Sequence, residues 1–148
     1  MPDVRKIRLL VVEDNPAYLY LVQKAFSRRM QPIQWELTTA EDGEQALRLL
    51  IEEEVDNAPL PHLILLDWNL PKVSGCEVLQ RMKEHEKLRK IPILVFSSSS
   101  LDEDIHNAYS NHANGYITKP DSTDILATIV GTIEEFWTSV ASLPMVTR

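Results

Sequence analysis

The segment Leu63-Ile-Leu-Leu-Asp67-Trp-Asn-Leu-Pro71 decides the fold. Four large aliphatic residues in a row show no alternation, so a strand made of them needs cover on both faces, as central strands of parallel sheets have. A carboxylate follows immediately, and Gly75 marks the start of the next helical stretch. Outward from this segment the pattern repeats. Ile7–Val12 is apolar apart from Arg8, and Ile91–Phe96 is a third run of the same kind; Ile33–Thr38 and Gly115–Thr118 are two shorter candidates.

The stretches between these runs have helical period. Asn15-Pro16 is a cap residue followed by proline at the first helical position, predicting a helix to about Arg29. Ala46, Leu47, Leu50 and Ile51 mark a second helix within Asp42–Glu54, and Val78, Leu79 and Met82 a third. Ile105, Ala108 and Tyr109 mark a fourth behind the acidic Asp102–Asp104, which suits a helix N-terminus. A fifth, from about Asp121, carries two adjacent apolar rows running through Phe136, Trp137 and Val140. Five strands alternating with five helices predict a doubly wound α/β domain, with ligands at the carboxyl ends of the strands.

Composition narrows the function. With 22 acidic against 15 basic residues the formal charge is −7, which disfavours nucleic-acid binding. One cysteine, Cys76, supports neither an internal disulfide nor a cysteine-based zinc cluster. The glycines stand too far apart for a phosphate-binding loop, and the longest apolar runs are far short of a membrane span. The expectation is a soluble cytoplasmic protein of one domain over 1–148, with its core at about 5–137 and a short C-terminal extension over 138–148.

The residues just after each strand carry the chemistry. They are Glu13 and Asp14 after the first, Asp67 with Asn69 after the third, Ser97 after the fourth, and Lys119-Pro120 after the fifth. Taken singly, Glu13-Asp14 reads as a capped turn, Asp67 as a strand end or a loop cap, Ser97–Ser100 as a polar loop, and Lys119-Pro120 as a helix start. Together they bring three carboxylates, a hydroxyl and an ammonium to one sheet edge. Clustered carboxylates are tolerable around a divalent cation, and magnesium favours such oxygen ligands. An ionised aspartate can attack a phosphoryl group, with metal and lysine neutralising charge.

Over roughly residues 5–137 these motifs, with Gly115-Tyr-Ile-Thr-Lys119-Pro120, resemble the receiver domain of two-component response regulators. The resemblance implies a flavodoxin-like (βα)5 fold and a phosphoacceptor domain with slow autodephosphorylation, rather than an enzyme in its own right. Asp67 would be the phosphoacceptor. Glu13, Asp14, Asp67 and the backbone carbonyl of Asn69 would hold magnesium or manganese, and Lys119 would contact the phosphoryl group. Ser97 and Tyr116 would form the switch pair, while Asn69 and Ser99 hold the positions that tune hydrolysis. The partner would be a sensor histidine kinase docking near Tyr18 and Leu19 and the turn after Lys119. Ile133-Glu-Glu-Phe-Trp137, Leu143-Pro144, the insert 56–59 and Leu70-Pro-Lys72 further resemble small single-domain regulators that partner cyanobacterial phytochrome kinases.

Ser98 stands where a small residue commonly follows the switch hydroxyl, and Trp68 reads as packing. His62, His85, His106 and His112 lack metal-ligand spacing, and Cys76 lacks a redox partner. Phe136, Trp137 and Val140 extend the last helix beyond what covers a small sheet, giving a candidate homodimer interface with C2 symmetry. Two competing classes are an aspartate-nucleophile phosphatase and a pseudo-receiver scaffold that works without phosphorylation. The former places its nucleophile after the first strand, where this chain has Glu13-Asp14-Asn15-Pro16; the complete acid, hydroxyl and lysine set argues against the latter.

Overall fold

A computed structural model describes residues 5–27, 33–52 and 59–145. Five strands, β1 (Arg5–Val12), β2 (Ile33–Ala40), β3 (Leu63–Leu66), β4 (Ile93–Ser97) and β5 (Gly115–Thr118), form one sheet. Its order is β2-β1-β3-β4-β5 and every pairing is parallel. The helices are α1 (Pro16–Ser27), α2 (Gly43–Leu47), α3 (Gly75–Glu84), α4 (Asp102–Ser110) and α5 (Thr123–Glu135). This is the doubly wound (βα)5 arrangement read from the sequence.

The unbroken apolar runs divide by parity. Leu10, Val12, Ile64, Leu66, Ile93 and Val95 point to one face, where α2, α3 and α4 supply Leu47, Leu79, Met82 and Ala108. Leu9, Val11, Leu63, Leu65, Leu94 and Phe96 point to the other, against Val22 and Phe26 of α1 and Leu126, Val130 and Ile133 of α5. Two cores, one per face, explain why these strands do not alternate.

Several boundaries move for local reasons. β2 continues to Ala40, because Thr39 and Ala40 still pair with Val11 and Val12. β4 begins at Ile93, since Ile91 closes a 3₁₀ turn over Leu88–Lys90 and Pro92 has no N–H to donate. The second helix keeps α geometry only to Leu47 and then widens into a π-helical turn over Arg48–Glu52. The ends expected for the first two helices, and most of the insert 56–59, lie outside the described residues.

α5 runs into a second π-helical turn, Phe136–Val140. The three apolar residues of that turn part company. Trp137 is half-buried against the α1/α5 core, whereas Phe136 and Val140 are exposed. The Trp68 ring is buried in the other core, as its reading as packing requires.

Candidate functional site

The carboxyl ends of β1, β3 and β5 open into one cleft. Pairing puts Val12 beside Leu66, so the next residues, Glu13 and Asp67, emerge side by side. The backbone fixes both: Glu13 N–H donates to the Ala40 carbonyl and Asp67 N–H to the Val12 carbonyl, each at 3.0 Å. Asp14 is exposed at the rim, where the chain turns into α1; Asn15 caps that helix, its Oδ1 accepting from Ala17 and Tyr18 N–H at 3.0 and 3.1 Å.

Close packing holds the loop that carries Asp67. Gly75 begins α3 so near it that a Cβ there would lie 2.3 Å from the Asp67 backbone oxygen. Gly75 N–H donates to the Trp68 carbonyl at 3.0 Å, and a Cβ on Gly43 would collide with the Val73 carbonyl. Between these pins Lys72 adopts a left-handed φ of 66°, a conformation costly for a non-glycine residue. Its ammonium lies 3.6 Å from Asp42.

Carboxylate oxygens of Glu13, Asp14 and Asp67 lie within 4.8 Å of one another. Glu13 and Asp67 are only 4% and 6% exposed, so their charges are poorly solvated. Lys119 supplies the local cation: its ammonium is 3.1 Å from Asp67 Oδ2 and forms a close ion pair with Glu13 Oε1. Burial pushes the Glu13 carboxyl up to about 7, against the opposing pull of Lys119 and the Asn15 N–H. Burial also disfavours the charged lysine, but Glu13 and Asp67 outweigh it and hold the ammonium above its ordinary range. The cleft, about 420 Å³, is lined by these groups with Asn69 and Tyr18. An all-oxygen donor set of three carboxylates fits a hard divalent cation.

The structure thus brings together Glu13, Asp14, Asp67, Asn69 and Lys119. Asn69 N–H donates to Asp67 Oδ1 at 3.3 Å. The predicted switch pair stands apart from the cleft lining, which takes Ser98 instead. Ser97 is fully buried, its hydroxyl oxygen accepting Ser99 N–H at 3.2 Å. Tyr116 packs against the α2–α4 core and donates its hydroxyl to the Ser99 carbonyl at 2.7 Å. Ser99 in turn donates its hydroxyl to Asp104 Oδ2 at 2.5 Å, anchoring the loop to the first turn of α4. Ser99 is therefore the hub between the two switch residues.

Sequence reasoning did not place Asp104 there. It read Tyr18 only as a docking residue, although Tyr18 lies in the first turn of α1, close behind the acidic pair. Of the other candidates, His62 accepts Arg8 N–H on Nδ1 and donates its own N–H to the Arg8 carbonyl, extending the β1–β3 pairing. Burial pushes the Cys76 thiol up, the direction opposite to that of an activated cysteine.

Comparison with known proteins agrees with this geometry. The probable methanogenesis regulatory protein FilR2 of Methanothrix harundinacea is 43% identical over 87% of this chain and 82% of its own length. The response regulator Rcp1 of Synechocystis is 39% identical over 92% of each chain. Its Mn(2+)-bound crystal structure superposes with a TM-score of 0.84, covering 93% of this chain and 99% of that one. The phosphorylated cyanobacterial phytochrome response regulator RcpA, 44% identical, superposes with a TM-score of 0.87 over 94% of this chain and 99% of its own. Residues 9–130 match the response regulator receiver domain, and the chain belongs to that family.

Proposed function

We propose that the protein accepts a phosphoryl group on Asp67 from a sensor histidine kinase, in a reaction that depends on magnesium or manganese. The observation that carries the reading is one cleft holding three carboxylates within 4.8 Å, two of them buried, and a lysine 3.1 Å from Asp67. A divalent cation held by Glu13, Asp14, Asp67 and the Asn69 carbonyl would neutralise charge on the transferring group. An Asp67 oxygen attacks phosphorus, a new O–P bond forms, and the P–N bond of phosphohistidine breaks with its electron pair leaving on the imidazole. An ionised carboxylate needs no general base. Lys119 balances negative charge in the transition state.

The downstream event proposed is a rearrangement at Ser97 and Tyr116. Ser97 would donate its hydroxyl to the phosphoryl group, and turning toward it strains the bond its oxygen accepts from Ser99 N–H, loosening the loop that also receives the Tyr116 hydroxyl. This is a bistable element biased by a local charge event. Asn69 and Ser99 would set the rate of hydrolysis, which we propose to be slow. Likeness to Rcp1 and RcpA supports a phytochrome-type kinase as donor, acting in the cytoplasm on a single-domain regulator. Among the described residues no helix is long and apolar enough to cross a membrane. Signalling through a homodimer is part of the same reading, with exposed Phe136 and Val140 beside Trp137 at the interface.

Incubation with acetyl phosphate and magnesium, read by intact mass, tests the central step. Wild type is expected to gain one phosphoryl adduct, which chelator abolishes, and Asp67→Asn to gain none. Equal labelling of Asp67→Asn would refute the assignment.

A further inference from the structure

We propose that Tyr18 positions Lys119, holding its ammonium group against the carboxylates through the face of its ring and through the loop its hydroxyl ties down. The proposal rests on Asp67 being the phosphoacceptor with Lys119 as its cationic partner. Three contacts carry it. The Lys119 ammonium lies 4.9 Å from the centroid of the Tyr18 ring, within the range of a cation–π attraction. The Tyr18 hydroxyl donates to the Pro120 carbonyl at 3.3 Å, fixing the residue that follows the lysine. The ring also lies 5.8 Å from that of Phe96, near the end of β4.

Tyr18 is itself well fixed. Its N–H donates to the Asn15 cap at 3.1 Å, which sets the first turn of α1 and the direction in which the ring leaves it. Burial, followed by the charges of Glu13 and Asp121, pushes the phenol up to about 12, so it remains a neutral donor. The ring thus joins α1, β4 and the loop after β5 around one ammonium group.

Lysine needs such help. Its charge is compact, strongly hydrated and carried on a flexible stem. Glu13 and Asp67 attract the ammonium but leave open how the stem approaches. Asp121 lines the same cleft and offers a competing carboxylate at its mouth. An aromatic face on the ammonium, with the neighbouring carbonyl tied to the same side chain, removes that freedom. Phosphoryl transfer works mainly through positioning, so loosening the lysine costs rate without touching the reacting atoms.

A double-mutant cycle on the full chain tests this, with acetyl phosphate as donor, magnesium saturating and intact mass as readout. Tyr18→Leu removes ring and hydroxyl and is expected to slow adduct formation about tenfold. Tyr18→Phe keeps the ring and should slow it by at most about threefold. In a Lys119→Ala background Tyr18→Leu should change the rate less than about twofold, because the group it positions is gone. Structural damage would persist in that background and would also weaken magnesium binding measured by isothermal titration calorimetry. Equal slowing in both backgrounds, or none in either, overturns the proposal alone. A wild type that gains no adduct, or labelling of Asp67→Asn, overturns the phosphoacceptor reading and this proposal with it.

Discussion

Gly75→Ala adds a single methyl group at a position where the backbone leaves no room. The new Cβ would sit 2.3 Å from the Asp67 backbone oxygen and 2.8 Å from Trp68 Cα, and neither can turn away as a flexible side chain would. No glycine in the described residues has positive φ, so the penalty is steric and not torsional. Forcing extra volume into such a contact costs about 1–3 kcal/mol. Weakening the 3.0 Å bond from Gly75 N–H to Trp68 O adds about 0.5–1.5 kcal/mol. Alanine returns up to about 1 kcal/mol through its helix propensity. The balance is about 2 kcal/mol of destabilisation, or a melting temperature lower by roughly 6 °C for a domain of this size. The atom that must move belongs to Asp67, so magnesium affinity should also fall, by about fivefold. Thermal unfolding by circular dichroism and a magnesium titration by calorimetry read both effects. A melting temperature within about 1 °C of wild type, with unchanged magnesium affinity, would show that α3 does not brace the Asp67 loop.

Two further perturbations probe regions away from the cleft. His62 is held neutral by burial, then by the charges of Arg8 and Arg5, while its Nδ1 accepts Arg8 N–H at 2.9 Å. Its native pKa is therefore below the unfolded value of about 6.5. The stability it contributes is present above that value and lost as pH falls through the lowered native pKa. Between about pH 7.5 and 5 the melting temperature of wild type should fall relative to that of His62→Asn, which offers an acceptor but does not titrate, because the opposing change from Glu13 is common to both; parallel curves would contradict the linkage. For the dimer, Val140, 71% exposed, is the cleaner target. Val140→Asp should leave the melting temperature of dilute protein within about 2 °C while shifting sedimentation toward monomer; a wild type that is strictly monomeric at micromolar concentration, phosphorylated or not, would end the homodimer reading.

The legible part of the fold was the part that burial writes directly into residue type. Leu9–Val12 and Leu63–Leu66 lack alternation because each residue meets one of two separate cores, and the carboxylate that ends each run marks where the apolar core gives way to the cleft. Hydrogen bonds made by the backbone leave no such mark. Nothing in the Ser97–Ser100 run distinguishes the serine whose hydroxyl accepts a main-chain N–H from the one that reaches Asp104. Glu13 and Asp14 are neighbours of like charge, yet one is buried and the other exposed. Glu13 continues the hydrogen bonding of β1, its N–H donating to the Ala40 carbonyl, whereas Asp14 lies where the chain turns into α1. At the C-terminus the two apolar rows could not separate an inward Trp137 from an outward Phe136, because the π-helical turn rotates the residues relative to an ideal helix.

On the proposed function, the charge balance around Asp67 gives lysine and metal separate tasks. The three clustered carboxylates and one ammonium leave 3 − 1 = 2 formal negative charges where Glu13 and Asp67 are buried, with Asp121 further out at the mouth. Lys119 cannot neutralise that alone, and burial of Glu13 opposes its ionisation for the same reason. A divalent cation cancels the remainder, which makes a carboxylate cluster here compatible with a stable fold. Converting the Asp67 carboxylate to an acyl phosphate changes its charge from −1 to about −2. Without a cation the cluster would then carry three negative charges; with one it would carry one, or two if the lysine left. The metal therefore offsets the cost of gathering the acids, and the lysine offsets part of the charge that arrives. On this account a residue that keeps the ammonium in place bears on the product as well as on the transition state. The Tyr18 contact belongs to the chemistry of the cleft as much as to the packing of α1.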